Sequence, residues 1–163
     1  MLLLTALQSL LILDEDTAQP VKSFHKSFPD FVTDPDRCID PRFYISPGNS
    51  HLQLTISCLT LLNDGLEQNL FNLPDYALNT EIKDLQARIN SRISVALRYA
   101  CQSWHNHLTN MSKGDITDVI SLLHFFLEEK FLAWLEVLSI IKSTRGAAVA
   151  LEVLMAWLQE VCV

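Results

Sequence analysis

Four histidines sit where chemistry can be sought. His105 and His107 lie two apart in WHNHL, a spacing that rotates them by roughly 200° around a helix, whereas two ligands of one metal need a separation of three or four on one face. They are expected to be solvated residues flanking Trp104. His124, followed by Glu128 and Glu129, does not form the H-E-x-x-H pattern, so His124 with Glu128 reads as a surface pair one helical turn apart. His25 is different. In FHKSFPDFVTDP, residues 24–35, it follows directly on a strand and opens a short helix. There its ring can donate a hydrogen bond beside backbone amides that favour an anion such as phosphate. A satisfied structural histidine is the plainer reading of the same residues. His25, Ser27 and Asp30 do not make a triad, because triads are assembled from separate loops around an oxyanion hole, and none can be located here.

Other chemistry is excluded by what the chain lacks. Its four glycines are Gly48, Gly65, Gly114 and Gly146, followed by Asn, Leu, Asp and Ala. Neither a G-K-[ST] phosphate loop nor a G-x-G-x-x-G fingerprint can be written with them. The 12 Lys and Arg against 19 Asp and Glu give a net charge of −7, so there is no basic footprint for nucleic acid. Cys38, Cys58, Cys101 and Cys162 contain no C-x-x-C pair and read as reduced core thiols, with neither metal nor disulfide chemistry. Trp104, Phe131 and Trp134 recur at helical spacing and read as core.

The elements that would hold these residues change character along the chain. Five of six prolines fall between Pro20 and Pro47, which makes that zone one of turns, short strands and helix starts. Residues 9–13 and 21–24 flank the acidic, turn-forming stretch DEDTAQP and predict a small antiparallel hairpin. Leu3, Leu7 and Leu10 predict the end of a helix over 1–8, as though the chain opened in mid-domain. Beyond Pro47, the stripe Leu52, Ile56, Leu59, Leu62, Leu66 and Leu70 predicts an amphipathic helix of about 20 residues capped by Asn49 or Ser50, with Pro74 near its end. Ile93 to Leu108 predicts another, Asp115 caps a third, Leu127 to Ile141 continues it after a kink, and 147–162 forms the last. No uncharged apolar run approaches the 18 or so residues that span a bilayer. A chain soluble or peripheral to membranes, working in the cytoplasm, is expected.

The strand running into His25-Lys26-Ser27-Phe28-Pro29-Asp30-Phe31 resembles the winged-helix subdomain of STAND-class NTPases of the NACHT type. There a strand enters F-x-H-x-S-F-x-[ED]-F. The preceding LQSLLILDEDTAQPVKSF resembles the wing hairpin, and NLPDYALNTEIKDL, ALRYACQSWHNHL and FLEEKFLAWLEVLSII resemble the helical subdomain that follows in the large fungal proteins of this class. The resemblance implies that His25 is the residue that senses the β-phosphate of bound ADP, supported by Phe24, Ser27, Phe28, Asp30 and Phe31. The chain departs from the family in having no Walker A loop, Walker B acids or effector domain.

The expected fold is therefore mainly α, with three parts. A partial winged helix with one β-hairpin occupies 1–37, a Pro-rich connection 38–47, and an α-helical array 48–163. The expected role is a non-catalytic regulatory and interaction arm of a NACHT-type signalling NTPase. Such an arm would bind ADP or ATP only when joined to an upstream NACHT module, whether of its parent or of a related protein. Other protein partners are compatible with it; nucleic acid and membrane are not expected. The alternative is a stand-alone helical protein–protein interaction module with no nucleotide role.

Overall fold

A computed structural model describes residues 10–12, 22–74, 83–114 and 116–161. The chain is mainly α, as expected: one two-stranded antiparallel hairpin precedes an array of helices. It divides into two compact units, Met1–Pro47 and Gly48–Val163. The helix expected over 1–8 and the cap expected at Asp115 lie outside the described residues.

In the first unit, β1 (Leu11–Ile12) pairs with β2 (Lys22–Ser23), Leu11 opposite Ser23 and Ile12 opposite Lys22. The amide of Phe24 donates to the carbonyl of Leu10 at 2.8 Å and extends the ladder by one rung. Helix α1 (Ser27–Val32) follows. Thr33 ends it by donating both its amide and its hydroxyl to the carbonyl of Pro29, at 3.1 and 2.8 Å. The proline-rich stretch returns to this helix, since the amide of Ile45 donates to the carbonyl of Val32 at 2.8 Å. Two Asx turns set its course: Asp34 accepts from the amide of Asp36, and Asp40 from that of Arg42.

The second unit begins with α2 (Pro47–Gly65). The cap expected at Asn49 or Ser50 falls inside this helix, because Pro47 has φ already preset for a first helical position and lacks only an amide that would find no intrahelical partner there. The helix also ends nine residues before Pro74, so Leu66, Phe71 and Leu70 reach the core from the turn that follows. Gly65 permits that ending: a Cβ there would stand 2.9 Å from a methyl of Leu97. Next come α3 (Leu85–Arg92) and α4 (Val95–Asn110), separated by an extended Ile93 and by Ser94, whose hydroxyl caps α4 by accepting from the amide of Leu97 at 3.1 Å. The kink expected near Leu127 takes a definite form. Helix α5 (Thr117–Phe125) passes through a π-helical turn, Phe126–Lys130, into α6 (Phe131–Ile140), and α7 (Thr144–Val161) closes the array against α4 and α6.

The core gathers on α4 and the turn–α6 segment. Trp104, Phe126 and Trp134 are fully buried and meet edge to face, with ring centroids 5.5, 5.7 and 6.1 Å apart. That is the geometry aromatic quadrupoles prefer, worth about 0.5–1.5 kcal/mol per pair beyond burial. The indole of Trp134 donates to the carbonyl of Cys101 at 2.9 Å, Asn63 donates to the carbonyl of Leu122 at 3.1 Å, and Lys130 crosses to the carbonyl of Leu66 at 2.9 Å. Burial pushes the thiols of Cys58 and Cys101 up to about 11 and about 12. Together with Cys38 they are free and buried, in accord with their reading as core thiols, and Cys162 lies outside the described residues.

Candidate functional site

His25 stands between β2 and α1 on an exposed stretch of chain. Its Nδ1 accepts the amide of Ser27 at 3.1 Å and lies 2.9 Å from the hydroxyl of the same residue. An Nδ1 that accepts an amide carries no proton, so the neutral ring holds its proton on Nε2. That nitrogen faces no partner among the described residues. The imidazole thus does two things: it satisfies an orphan amide at the mouth of α1, and it presents an N–H donor outward. Phe28 is half-buried and Asp30 is exposed in the first turn of α1. Phe24 is 74% exposed, and Phe31 is 40% exposed with the guanidinium of Arg37 over its ring at 5.7 Å. The side chain of α1 that is buried is Val32.

The structure also assembles a histidine cluster that the sequence reading did not contain. On α2, Nδ1 of His51 lies 2.9 Å from Nδ1 of His107 on α4, and the hydroxyl of Tyr99, two turns earlier on α4, lies 2.6 Å from Nε2 of His107. Only one of the two facing Nδ1 atoms can hold a proton, so the three side chains form a directed chain in which each tautomer fixes the next. His105 and His107 are not solvated, contrary to expectation: they are 6% and 7% exposed. The exposed face of α4 is a stripe of Val95, Tyr99, Gln102, Asn106 and Thr109, and a spacing of two puts the rings on its two opposite margins, each against neighbouring structure. Burial holds the pKa of both rings below the ordinary histidine value, with the neighbouring His107 acting in the same sense on His105 and His51 on His107. Nδ1 of His105 is buried without a hydrogen-bond partner.

His124 and Glu128 form the expected exposed pair, 3.2 Å apart. Among the described residues no three of His, Cys, Asp or Glu converge as a metal site, and no helix is long and apolar enough to cross a membrane. His51 could not be found by local spacing, since it lies 56 residues from its partner. The eight-residue interval between Tyr99 and His107, just over two helical turns, was the one legible signal. No family model, curated protein or solved structure matches the chain.

Proposed function

We propose that this chain is a non-catalytic regulatory and interaction arm of a NACHT-type signalling NTPase, in which His25 senses the nucleotide held by a NACHT module. The observation that supports it is the local geometry of His25. A hairpin strand runs directly into the ring, Ser27 occupies Nδ1, and the remaining donor at Nε2 is exposed at the start of α1. An imidazole fixed in that tautomer can donate to a phosphate oxygen of ADP without first reorienting. An arm of this kind acts by forming its interface in one nucleotide state and losing it in the other. It works in the cytoplasm, where its thiols stay reduced.

The first test is the reading frame upstream of Met1, expected to encode G-x-x-x-x-G-K-[ST]. A frame with that loop strengthens the switch reading sharply, and a frame without it leaves a related protein as the one source of the NACHT module. The second is His25→Leu in the chain joined to that module. A charge-assisted bond of roughly 1.5–3 kcal/mol implies a loss of ADP retention of one to two orders of magnitude. Unchanged retention with a large fall in melting temperature returns His25 to a purely structural role. By itself the chain is expected neither to hydrolyse ATP nor to bind it below micromolar concentrations, because the Gly-rich amides and lysine that cradle phosphates are missing.

A stand-alone helical interaction module is the second reading, favoured by the large apolar side chains that the helical unit leaves in solvent, Leu132 at 77% and Phe125 at 47% exposure. It predicts partner binding that survives His25→Leu unchanged.

A further inference from the structure

A cavity of about 450 Å³ opens in the helical unit where the start of α3, the first two turns of α4 and the C-terminal end of α6 meet. Its polar lining is one-sided: Arg98 and Lys142 supply two cations, Gln86 and Gln102 supply amides, and among the described residues no lining residue is acidic. In a chain of net charge −7 two cations in one cavity with no carboxylate between them are out of keeping with the rest of the molecule. The guanidinium of Arg98 is poorly satisfied. Its Nε is buried without a partner, and its Nη2 reaches only the side-chain oxygen of Asn90, at a long 3.4 Å. Among the described residues the guanidinium thus has one long contact and no carboxylate, which leaves its outer nitrogens free to take an anionic acceptor. Lys142 meets no carboxylate among the described residues either.

Two backbone features bear on the sign and size of the ligand. Helix α6 would present a negative carbonyl end to this cavity, but its last carbonyls are taken: Leu138 accepts from the amide of Ser143 at 2.8 Å and Ser139 from that of Lys142 at 3.2 Å. This closure places Lys142 at φ 58°, the left-handed region where glycine is the comfortable residue. A lysine held there brings its ammonium to the rim at some conformational cost. The closure also occupies the amides of Lys142 and Ser143, and Ser94 caps the start of α4, so no nest of free amides awaits a phosphate. The rest of the wall, Leu85, Ile89, Ile140 and Ile141, is aliphatic.

We propose that this cavity binds a small amphipathic carboxylate, its head on the fork of Arg98 with Lys142 beside it and its aliphatic body on the isoleucines. The site is independent of His25 and of the nucleotide reading.

The test titrates the full chain with sodium octanoate in a calorimeter at neutral pH and low salt, with octanamide, octyl phosphate and inorganic phosphate as comparison ligands. Octanoate is expected to bind at least tenfold more tightly than octanamide, which lacks the charge, and than inorganic phosphate, which lacks the body. Arg98→Gln is expected to weaken octanoate at least tenfold. Lys142→Gly supplies the variant whose fold is secure: relief of the left-handed lysine should raise the melting temperature while octanoate affinity falls at least threefold, two opposite changes that a purely structural lysine would not give. Absence of octanoate binding at millimolar concentration, equal binding of octanoate and octanamide, tighter binding of octyl phosphate than of octanoate, or undiminished affinity in Lys142→Gly would each overturn the proposal.

Discussion

The two units of this protein treat their apolar side chains in opposite ways. Among the described residues of the first unit only Val32 and Cys38 are buried apolar side chains, while Phe24, Phe31, Ile39, Phe43 and Ile45 stay exposed, Ile39 to 84%. The second unit, although it leaves Leu132 and Phe125 in solvent, gathers one large cluster that includes four fully buried aromatic side chains, Phe71, Trp104, Phe126 and Trp134. The first is held instead by short-range polar devices: a two-rung hairpin, Asx turns at Asp34 and Asp40, and a bidentate contact from Arg42 to Asp40 that holds the carboxyl of Asp40 below its usual range. Local hydrogen bonds of this kind set a chain's path but contribute little net stability, and burial is what makes a unit cooperative. A hairpin and one helical turn and a half do not constitute a core.

The comparison can be broken most decisively by separating the units. Residues 1–47 alone are expected to lose their structure or aggregate, whereas 48–163 should keep its helical circular dichroism and a cooperative melt. A remnant 48–163 that melts without cooperativity would show that the two share one core. Next in size is Trp134→Ala, expected to destabilise by about 3–5 kcal/mol because it empties the centre of the aromatic cluster and orphans the carbonyl of Cys101. Denaturant unfolding measures it, and Ile39→Ser, on the other side of the comparison, should stay within about 0.5 kcal/mol of the parent.

Acidification acts on the helical unit in a definite direction. His105 and His107 have folded pKa values below the ordinary value near 6.5, so the unfolded chain takes up protons first. Their contribution is fully present above about pH 6.5 and is lost as pH falls through the lowered folded values. Melting temperature should therefore drop between pH 7 and pH 5.5, and less steeply in His107→Gln; a melting temperature independent of pH over that window would contradict the buried neutral pair. A small effect of opposite sign is expected for Lys142→Gly, a gain of about 0.5–1 kcal/mol from relief of the left-handed backbone less the added freedom of the unfolded glycine.

How far the sequence anticipated these differences depends on the range of the forces involved. The stripes from Leu52 to Leu66 and from Leu97 to Leu108 were legible because helical periodicity is local and the buried side of each helix follows from it. Helix ends were less so: Pro47 at a first helical position and Ser94 as a cap compete with equally good signals one to three residues away. Tertiary surroundings were not legible at all. The depth of His105 and His107 depends on what packs against the two margins of the exposed face of α4, the His51 contact crosses 56 residues, and the cavity at Arg98 joins α3, α4 and α6. His25 was placed at a strand-to-helix junction by its neighbours Phe24 and Ser27, and it stands there; the outward aim of Phe24 and Phe31 depends on what lies beside them, which no spacing encodes.

The π-helical turn at Phe126–Lys130 has a consequence for the arithmetic of the chain. A π turn holds one residue more than the α turn it replaces, and each residue advances an α-helix by about 100°. The segment 126–130 is therefore a phase shifter between α5 and α6. Val119 and Leu123 on one side of it and Trp134, Val137 and Leu138 on the other are all buried in the same core. Winding 126–130 as regular α-helix at unchanged length would turn α6 by about a quarter of a revolution and carry Trp134 away from Trp104, whereas deleting one residue among Leu127, Glu128 and Glu129 would close the π turn into an α turn with the phase of α6 kept. Length and winding are therefore one constraint on this stretch: a residue can leave it only together with the π turn.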